Sequence, residues 1–296
     1  MTRAVGISDL LSSLPGVVVV LFALVTQLGD FWLTFSLSAL LYWLGAQTPR
    51  IGHGVTRERA AMVVALLAAA VAVTVSLKGL FGLPRPAGAG VAAHADSLPA
   101  AVRGLYVSMA TGEGYGFPSG HATTAVLVWG GLAWSVRIGR HRQRVAVAAG
   151  LALLIGLSRL VLGVHFLVDV LAGFAAAGAV LWLALTRLRT PDRVFGLAAV
   201  VAAVGIGTSG LTQNAAAALG IGVGGAIIWR LLGGQSPAAT PAGARLTAAL
   251  GVAVVLTAAG ATLAVRPAPL ATGLAAAVGT ALLLAMPLAG ERLAKK

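Results

Sequence analysis

The residues best suited to chemistry lie between Ser158 and Asp169, inside a long apolar stretch. His165 and Asp169 are four residues apart, which places an imidazole and a carboxylate on one face of a helix. The carboxylate can hold one ring nitrogen and leave the other free to attack an electrophile. Alone, Arg159 could extend its charge from a helix end to the membrane surface, and His165 could be a hydrogen-bonded core residue. Together they indicate function, because ionisable groups in an apolar segment are costly.

Two further cations accompany Arg159 on the predicted outer side of the chain. Lys78 closes one apolar segment, and Arg85 follows it after six intervening residues. Three positive charges suit a phosphate, and arginine can bind two phosphate oxygens at once. These residues predict an anion site.

The segment Pro118-Ser119-Gly120-His121 leads into a predicted helix. Its backbone N–H groups and the positive end of the helix can face an anion, and Ser119 adds a hydroxyl donor. Gly120 would let the ligand approach closely. His121 and His165 then remain as one nucleophile and one general acid.

Taken together, these segments read Lys-x6-Arg-Pro, Pro-Ser-Gly-His and Ser-Arg-x5-His-x3-Asp. They resemble the complete three-part signature of the type 2 phosphatidic acid phosphatase family, which shares its site with vanadium haloperoxidases. The match runs from Lys78 to Asp169, and the C-terminal third of the chain has no counterpart in it. The composite pattern is far more specific than any one of its parts.

The resemblance implies a role for each matching residue. His165 would attack phosphorus and form a transient phosphohistidine, oriented by Asp169, while His121 would protonate the leaving oxygen and then activate water. The phosphoryl oxygens would be bound by Lys78, Arg85, Ser119, Gly120 and Arg159. No metal and no cofactor is implied, and of the chain's eight carboxylates only Asp169 lies within the motif.

The elements that must hold these residues are membrane helices. The 296 residues are 58% hydrophobic and only 10% charged, with a mean hydropathy of +0.94, too few charges to cover a soluble protein of this size. A net charge of +13 could indicate nucleic acid, but the basic residues follow the membrane topology instead. We therefore expect a bilayer and a lipid substrate as partners, and no nucleic acid. The oligomeric state is left open, and the absence of cysteine excludes disulfides and thiolate sites.

Ten apolar segments of spanning or near-spanning length predict an all-α, polytopic bundle. The first could imitate a signal peptide, but we interpret it as a retained span. The ten segments are Leu10–Leu28, Phe31–Ala46, Ala60–Phe81, His121–Ile138, Val145–Gly163, Phe166–Leu188, Val194–Thr208, Ala215–Leu232, Leu246–Val265 and Leu270–Leu288.

Basic residues alternate between the two sides of such a bundle. One set of connections holds 16 of the 21 Lys and Arg, whereas the other holds only Lys78, Arg85, Arg103, Arg159 and Arg266. By the positive-inside rule the rich side is cytoplasmic. Both termini are then predicted inside, and the motif residues outside. Ser236–Gly243, with two prolines, is predicted to be a cytoplasmic linker.

Two other features bear on the site. The long connection Gly82–Phe117 is rich in Gly, Ala and Pro, yet Leu98–Met109 favours a short interfacial helix, and a loop of this length is typical of a lid or an entry structure. Asp30, at a predicted outer turn between the first two spans, could cap a helix or help to shape the site. His94, Asp96 and Glu113 are predicted to be solvated loop residues.

We thus predict residues 1–189 to be a six-helix catalytic core and 190–296 a four-helix extension of unknown role. The predicted activity is metal-independent removal of a terminal phosphate from a lipid phosphate or polyprenyl diphosphate, and the sequence does not choose the lipid. A phosphotransferase that passes the phosphoryl group to another acceptor fits the same motif. A haloperoxidase fits poorly, because those relatives are soluble. A transporter or scaffold fits poorly too, because the last four helices hold few ionisable residues in their interiors.

Overall fold

The computed structural model describes residues 14–45, 55–233, 240–265 and 268–295, without the side chains of 257–265. Eleven α-helices and no strand occur in these ranges, which confirms the predicted all-α, polytopic fold. The helices are α1 Gly16–Thr26, α2 Phe31–Leu44, α3 Arg57–Phe81, α4 Ala100–Ala110, α5 Gly120–Ser135, α6 His141–Val161, α7 Leu167–Leu183, α8 Pro191–Ser209, α9 Gln213–Leu231, α10 Pro241–Val265 and α11 Pro269–Leu293. Ten of them correspond to the ten predicted segments, and α4 is the predicted short helix of the long connection.

Helix α3 is the axis of the bundle. It packs against α2, α5, α8 and α9, and most of its apolar length is buried inside the protein rather than facing lipid. Thr56 caps its start by accepting from the backbone N–H of Arg59 at 3.2 Å. Gly82 follows the last residue of the helix and ends it, because its φ of 57° is a left-handed conformation that glycine adopts without strain. This end of α3 carries Lys78 and therefore fixes the level of the site.

Within the described ranges, six helices are long and apolar enough to cross a bilayer, namely α3, α6, α7 with its π-helical continuation to Leu188, α8, α9 and α11. Helices α1 and α2 pass the same test only as a bent pair. Helix α5, with 16 residues, is shorter and about 24 Å long. The predicted count of ten spans stays a prediction.

The first two helices differ from the predicted pair of separate spans. They meet at Asp30 with a bend of only 42°, so the chain continues in roughly the same direction, whereas consecutive spans must reverse it. A Cβ on Gly16 would lie 3.2 Å from Cγ of His94, and Ala23 packs with Tyr106 of α4. Helix α1 thus lies beside the long connection, at the site end of the bundle. A single extended residue, Asp30, is too short a break to turn the chain back.

Parts of the predicted topology lie outside the described residues. These are the N-terminus with Arg3, residues 236–239 of the predicted linker Ser236–Gly243, and the basic residues Arg50, Arg266 and Lys296. The last three residues of that linker, from Pro241 to Gly243, form the start of α10. Cytoplasmic termini and an outward-facing site therefore stay predictions.

The C-terminal helices pack on the predicted six-helix core. Helix α8 lies along α3, and α10 and α11 contact α2. Three polar contacts join α2 and the start of α3 to α11: Tyr42 Oη to Leu284 O at 2.7 Å, Trp43 Nε1 to Leu283 O at 3.1 Å, and Arg57 Nη2 to Glu291 Oε1 at 3.7 Å. One hydrophobic cluster includes residues from both regions. The division at 189/190 stays a prediction.

Candidate active site

The predicted site residues lie at one end of the bundle, on ends of four different helices. Lys78 is in the last turn of α3, Gly120 and His121 open α5, Arg159 is in the last turn of α6, and Asp169 is in the first turn of α7. Arg85, Ser119 and His165 occupy the adjoining connections. Helix ends carry the site because their side chains and unpaired backbone groups point into a common space.

His165 lies between an anion and a cation. Its Nδ1 is 3.3 Å from Oδ2 of Asp169, and its Nε2 is 2.9 Å from Nη1 of Arg85. A guanidinium can only donate, so Nε2 accepts with its lone pair and the ring proton is on Nδ1, where it is donated to Asp169. His165 is 3% exposed, and this burial lowers its pKa from 6.5 to about 4. The ring is therefore neutral at pH 7, and Nε2, the nitrogen predicted to attack phosphorus, faces a positive charge.

Asp169 is fully buried and joins two segments of the motif. Its Oδ2 accepts from the backbone N–H of Phe166 at 2.9 Å, and its carbonyl oxygen accepts from the N–H of Ser119 at 2.9 Å. One turn later, a Cβ on Gly173 would lie 2.8 Å from the carbonyl oxygen of Ser119. Gly173, which sequence reasoning missed, thus permits the close approach of α7 to the start of α5.

Carbonyl oxygens of the long connection hold two of the three cations, with one more from the connection between α6 and α7. Lys78 Nζ donates to the carbonyl oxygen of Tyr115 at 2.8 Å. Arg85 donates through Nε to the carbonyl oxygen of Glu113 and through Nη1 to that of Val164, both at 2.9 Å. Burial lowers the pKa of Arg85, and Asp169 partly offsets this.

Arg159 is held by a residue that the sequence did not single out. Its Nη1 donates to Oγ1 of Thr26 at 2.6 Å, and its Nε is buried without a hydrogen-bond partner. Thr26 precedes the first residue of the motif by more than fifty positions, so nothing in the local sequence connects the two. In the described part of the chain, none of the cations Lys78, Arg85 and Arg159 has a carboxylate within ion-pair distance. Buried positive charge of this kind favours an anionic ligand.

Ser119 caps the start of α5. Ser119 Oγ accepts from the N–H of Ala122 at 3.5 Å, and the residue is fully buried. A Cβ on Gly120 would lie 3.1 Å from Cγ2 of Thr74, so glycine lets the start of α5 pack closely against α3. Its predicted role in close approach of a ligand stays a prediction.

His121 faces Asp30 from the N-terminal segment. Its Nε2 is 3.9 Å from Oδ2 of Asp30, too far for a hydrogen bond, and this buried nitrogen has no hydrogen-bond partner. The other oxygen of Asp30 accepts from the N–H of Phe31 at 2.7 Å and caps α2. The predicted cap is therefore confirmed, and the same carboxylate also borders the site. The side chains of His94, Asp96 and Glu113 are exposed, as predicted for loop residues.

Comparison with known proteins agrees with this arrangement. The sequence profile of the PAP2 superfamily matches residues 59–193. Phosphatidylglycerophosphatase B of Bacillus subtilis (strain 168) is 36% identical over 80 residues, which cover 25% of this chain and 39% of that protein. The chain thus spans about two fifths of the length of this relative. No solved structure matches. The part of the chain that matches the PAP2 superfamily profile, residues 59–193, carries all eight predicted site residues.

Proposed function

We propose that this protein is a membrane lipid phosphatase that removes a terminal phosphate through a phosphohistidine intermediate, without a metal ion. The observation that carries the proposal is the position of His165 between Asp169 and Arg85. A neutral imidazole with its lone pair directed at a phosphate-binding cation is suited to attack phosphorus. The match to the PAP2 superfamily profile and the similarity to a phosphatidylglycerophosphatase support a lipid phosphatase.

In the first step, Nε2 of His165 forms a bond to phosphorus as the bond between phosphorus and the leaving oxygen breaks. The proton on Nδ1 stays with the imidazole and is held by Asp169, which stabilises the positive charge that develops on the ring. His121 gives a proton to the leaving oxygen. In the second step, His121 takes a proton from water, the water attacks phosphorus, and inorganic phosphate leaves with regeneration of neutral His165.

The cations stabilise the charge on the transferring group. As phosphate enters, Arg85 exchanges its bond to Nε2 of His165 for a phosphoryl oxygen, which frees the nucleophile. Lys78 and Arg159 bind further oxygens, and the hydroxyl group of Ser119 and the N–H of Gly120 complete the set. In many phosphoryl-transfer enzymes, such preorganised donors make the largest contribution to the stabilisation of the transition state. Three cations at the same place would repel a divalent ion, which supports the metal-independent reaction.

Location in the membrane favours an amphiphilic substrate. The apolar tail stays among helices or lipids while the phosphate enters the end of the bundle. Phosphatidic acid, phosphatidylglycerol phosphate and polyprenyl diphosphates have the required chemistry.

The experiment is release of inorganic phosphate, measured with malachite green, from a panel of these lipids in detergent, with the His165→Ala protein as control. We expect at least one lipid to be hydrolysed with no added acceptor. A phosphotransferase would share the first step and differ only in the acceptor of the phosphoryl group. The same assay therefore separates hydrolysis from transfer. Phosphorylated product only in the presence of an added alcohol acceptor would favour the transferase.

A further inference from the structure

An apolar groove of about 320 Å³ lies between the catalytic core and the C-terminal helices. Helices α2 and α3 form one wall, and α10 and α11 form the other, with one residue from α9. Representative lining residues are Phe31, Phe35, Val64, Val71, Ala275 and Gly279. Its two hydroxyl groups are satisfied within α11, since Thr280 donates to Ala276 O at 2.8 Å and Thr272 to Ala268 O at 3.2 Å. The groove therefore offers hydrocarbon contacts only.

Two independent elements connect the groove to the site. On α3, Val71 lines the groove, and Thr74, less than one turn later, lies where a Cβ on Gly120 would contact it at 3.1 Å. On α2, Phe31 lines the groove and directly follows Asp30, whose carboxylate is 3.9 Å from His121. The end of the groove at Val71 and Phe31 is thus about one helical turn, roughly 5 Å, from residues that border the proposed phosphate site.

The α3 wall also has the direction that a lipid requires. Val64, Leu67, Ala68 and Val71 form a stripe along one face of the helix, and the same face continues to Lys78 two turns beyond Val71. A molecule with its phosphate at Lys78 would extend its chain down this stripe, away from the cations and toward the middle of the bundle.

We infer that the groove holds the hydrocarbon tail of the substrate, and that the C-terminal helices α10 and α11 are present to form its second wall. The inference rests on the proposed function and extends it, because it assigns the extension a role in selecting the tail. The occupant is a single acyl or prenyl chain of the lipid whose phosphate lies at His165. Contacts along such a wall discriminate between tails that differ by a few methylene groups.

The test fills the groove at Gly279. A Cβ there would meet nothing within 4 Å, so the substitution Gly279→Leu places a side chain in open space. It also replaces a glycine inside a helix, which favours helix formation. We expect kcat/KM for a long-chain phosphatidic acid to fall roughly tenfold or more, chiefly through KM, while kcat/KM for its dibutyryl analogue stays unchanged.

Gly196→Leu on α8 is the matched control. Gly196 is also a helical glycine whose Cβ position is open, but it lies outside the groove. This variant should leave kcat/KM unchanged for both the long-chain and the dibutyryl substrate. Ala275→Leu, on an exposed position that lines the groove, is a second variant and should repeat the effect of Gly279→Leu.

The outcomes separate the two proposals. If the wild-type protein releases phosphate from lipid but Gly279→Leu and Ala275→Leu leave the long-chain kcat/KM unchanged, the tail site is wrong and the phosphatase stands. An equal loss with long and short chains would also overturn the tail site. If the wild-type protein releases no phosphate from any lipid, the proposed function fails first and the tail site fails with it.

Discussion

Arg85 donates to Nε2 of His165 at 2.9 Å, so the cation that is expected to bind phosphate occupies the nitrogen that is expected to attack it. The same guanidinium group also donates to the carbonyl oxygens of Glu113 and Val164. His165 is therefore fixed in one tautomer and one orientation, with Asp169 on its other side. The protonation state of His165 can therefore be tested by titration, and its role by substitution.

The two histidines should respond differently to replacement. His165→Ala removes the nucleophile and should abolish turnover of lipid phosphate and of p-nitrophenyl phosphate alike. His121→Ala should reduce lipid turnover by about 10²- to 10⁴-fold, because an alkoxide leaving group needs a proton. It should retain a phosphoenzyme burst with p-nitrophenyl phosphate, trapped by rapid quench, because that leaving group is already acidic. A burst that survives in His165→Ala and vanishes in His121→Ala would reverse the roles.

The ring of His165 should stay neutral far into the acid range. Burial lowers its pKa to about 4, so the imidazolium form appears only as the pH falls through that value, not near 6.5. The chain has five histidines, and selective ¹⁵N labelling with a His165→Gln reference identifies the resonance. Nitrogen shifts should report an Nδ1–H tautomer at neutral pH. Titration of His165 near 6.5 would contradict the buried arrangement with Arg85.

Asp30 should assist His121 through its charge. His121 lies near the cations Lys78, Arg85 and Arg159. The carboxylate of Asp30 lies 3.9 Å from its Nε2, and we expect this negative charge to favour the protonated, acidic form. Asp30→Asn keeps a good helix cap but loses the charge. It should lower lipid kcat/KM about tenfold at neutral pH and move the basic limb of the pH profile to lower pH.

Two controls separate charge from structure at this position. Asp30→Glu should restore much of the lost lipid activity, and Asp30→Asn should leave the burst with p-nitrophenyl phosphate intact, since that leaving group needs no proton. Loss of lipid and p-nitrophenyl phosphate activity together, at every pH, would show a structural role for Asp30 only.

The reaction should not need a divalent metal. Lys78, Arg85 and Arg159 provide the positive charge that a metal would otherwise supply to the phosphoryl oxygens. Activity should persist after dialysis against EDTA and be inhibited by vanadate, which resembles the five-coordinate phosphorus. A complete loss on chelation that magnesium restores would overturn the expectation.

The site should face the outside of the cell. Ser97, in the long connection at the site end, and Gln143, at the start of α6, are both exposed and at opposite ends of the bundle. The chain has no cysteine, so Ser97→Cys and Gln143→Cys can be labelled singly with an impermeant maleimide in intact cells. Ser97→Cys should react and Gln143→Cys should not. The opposite pattern would place the site in the cytoplasm.

Local sequence was enough to predict most of the candidate site. His165 and Asp169 are four residues apart on a helix end, and their contact follows from helical geometry. The helices themselves follow from apolar segments of spanning length, so the all-α fold was predictable from composition and spacing. The eight site residues came from one composite pattern. Its three parts lie at the end of α3, at the start of α5 and across the connection from α6 to α7.

Contacts between distant segments were decided by tertiary structure. Thr26 binds Arg159 and Asp30 faces His121 because α1 continues into α2 with a 42° bend, whereas hydropathy alone predicted two crossing helices. An apolar segment has the same sequence signal whether it crosses a bilayer or packs beside a loop, so its direction depends on its neighbours. The groove at Gly279 likewise arises only where α10 and α11 pack against α2 and α3. The sequence therefore determined which groups do the chemistry, and the packing of helices far apart in the chain determined what surrounds them.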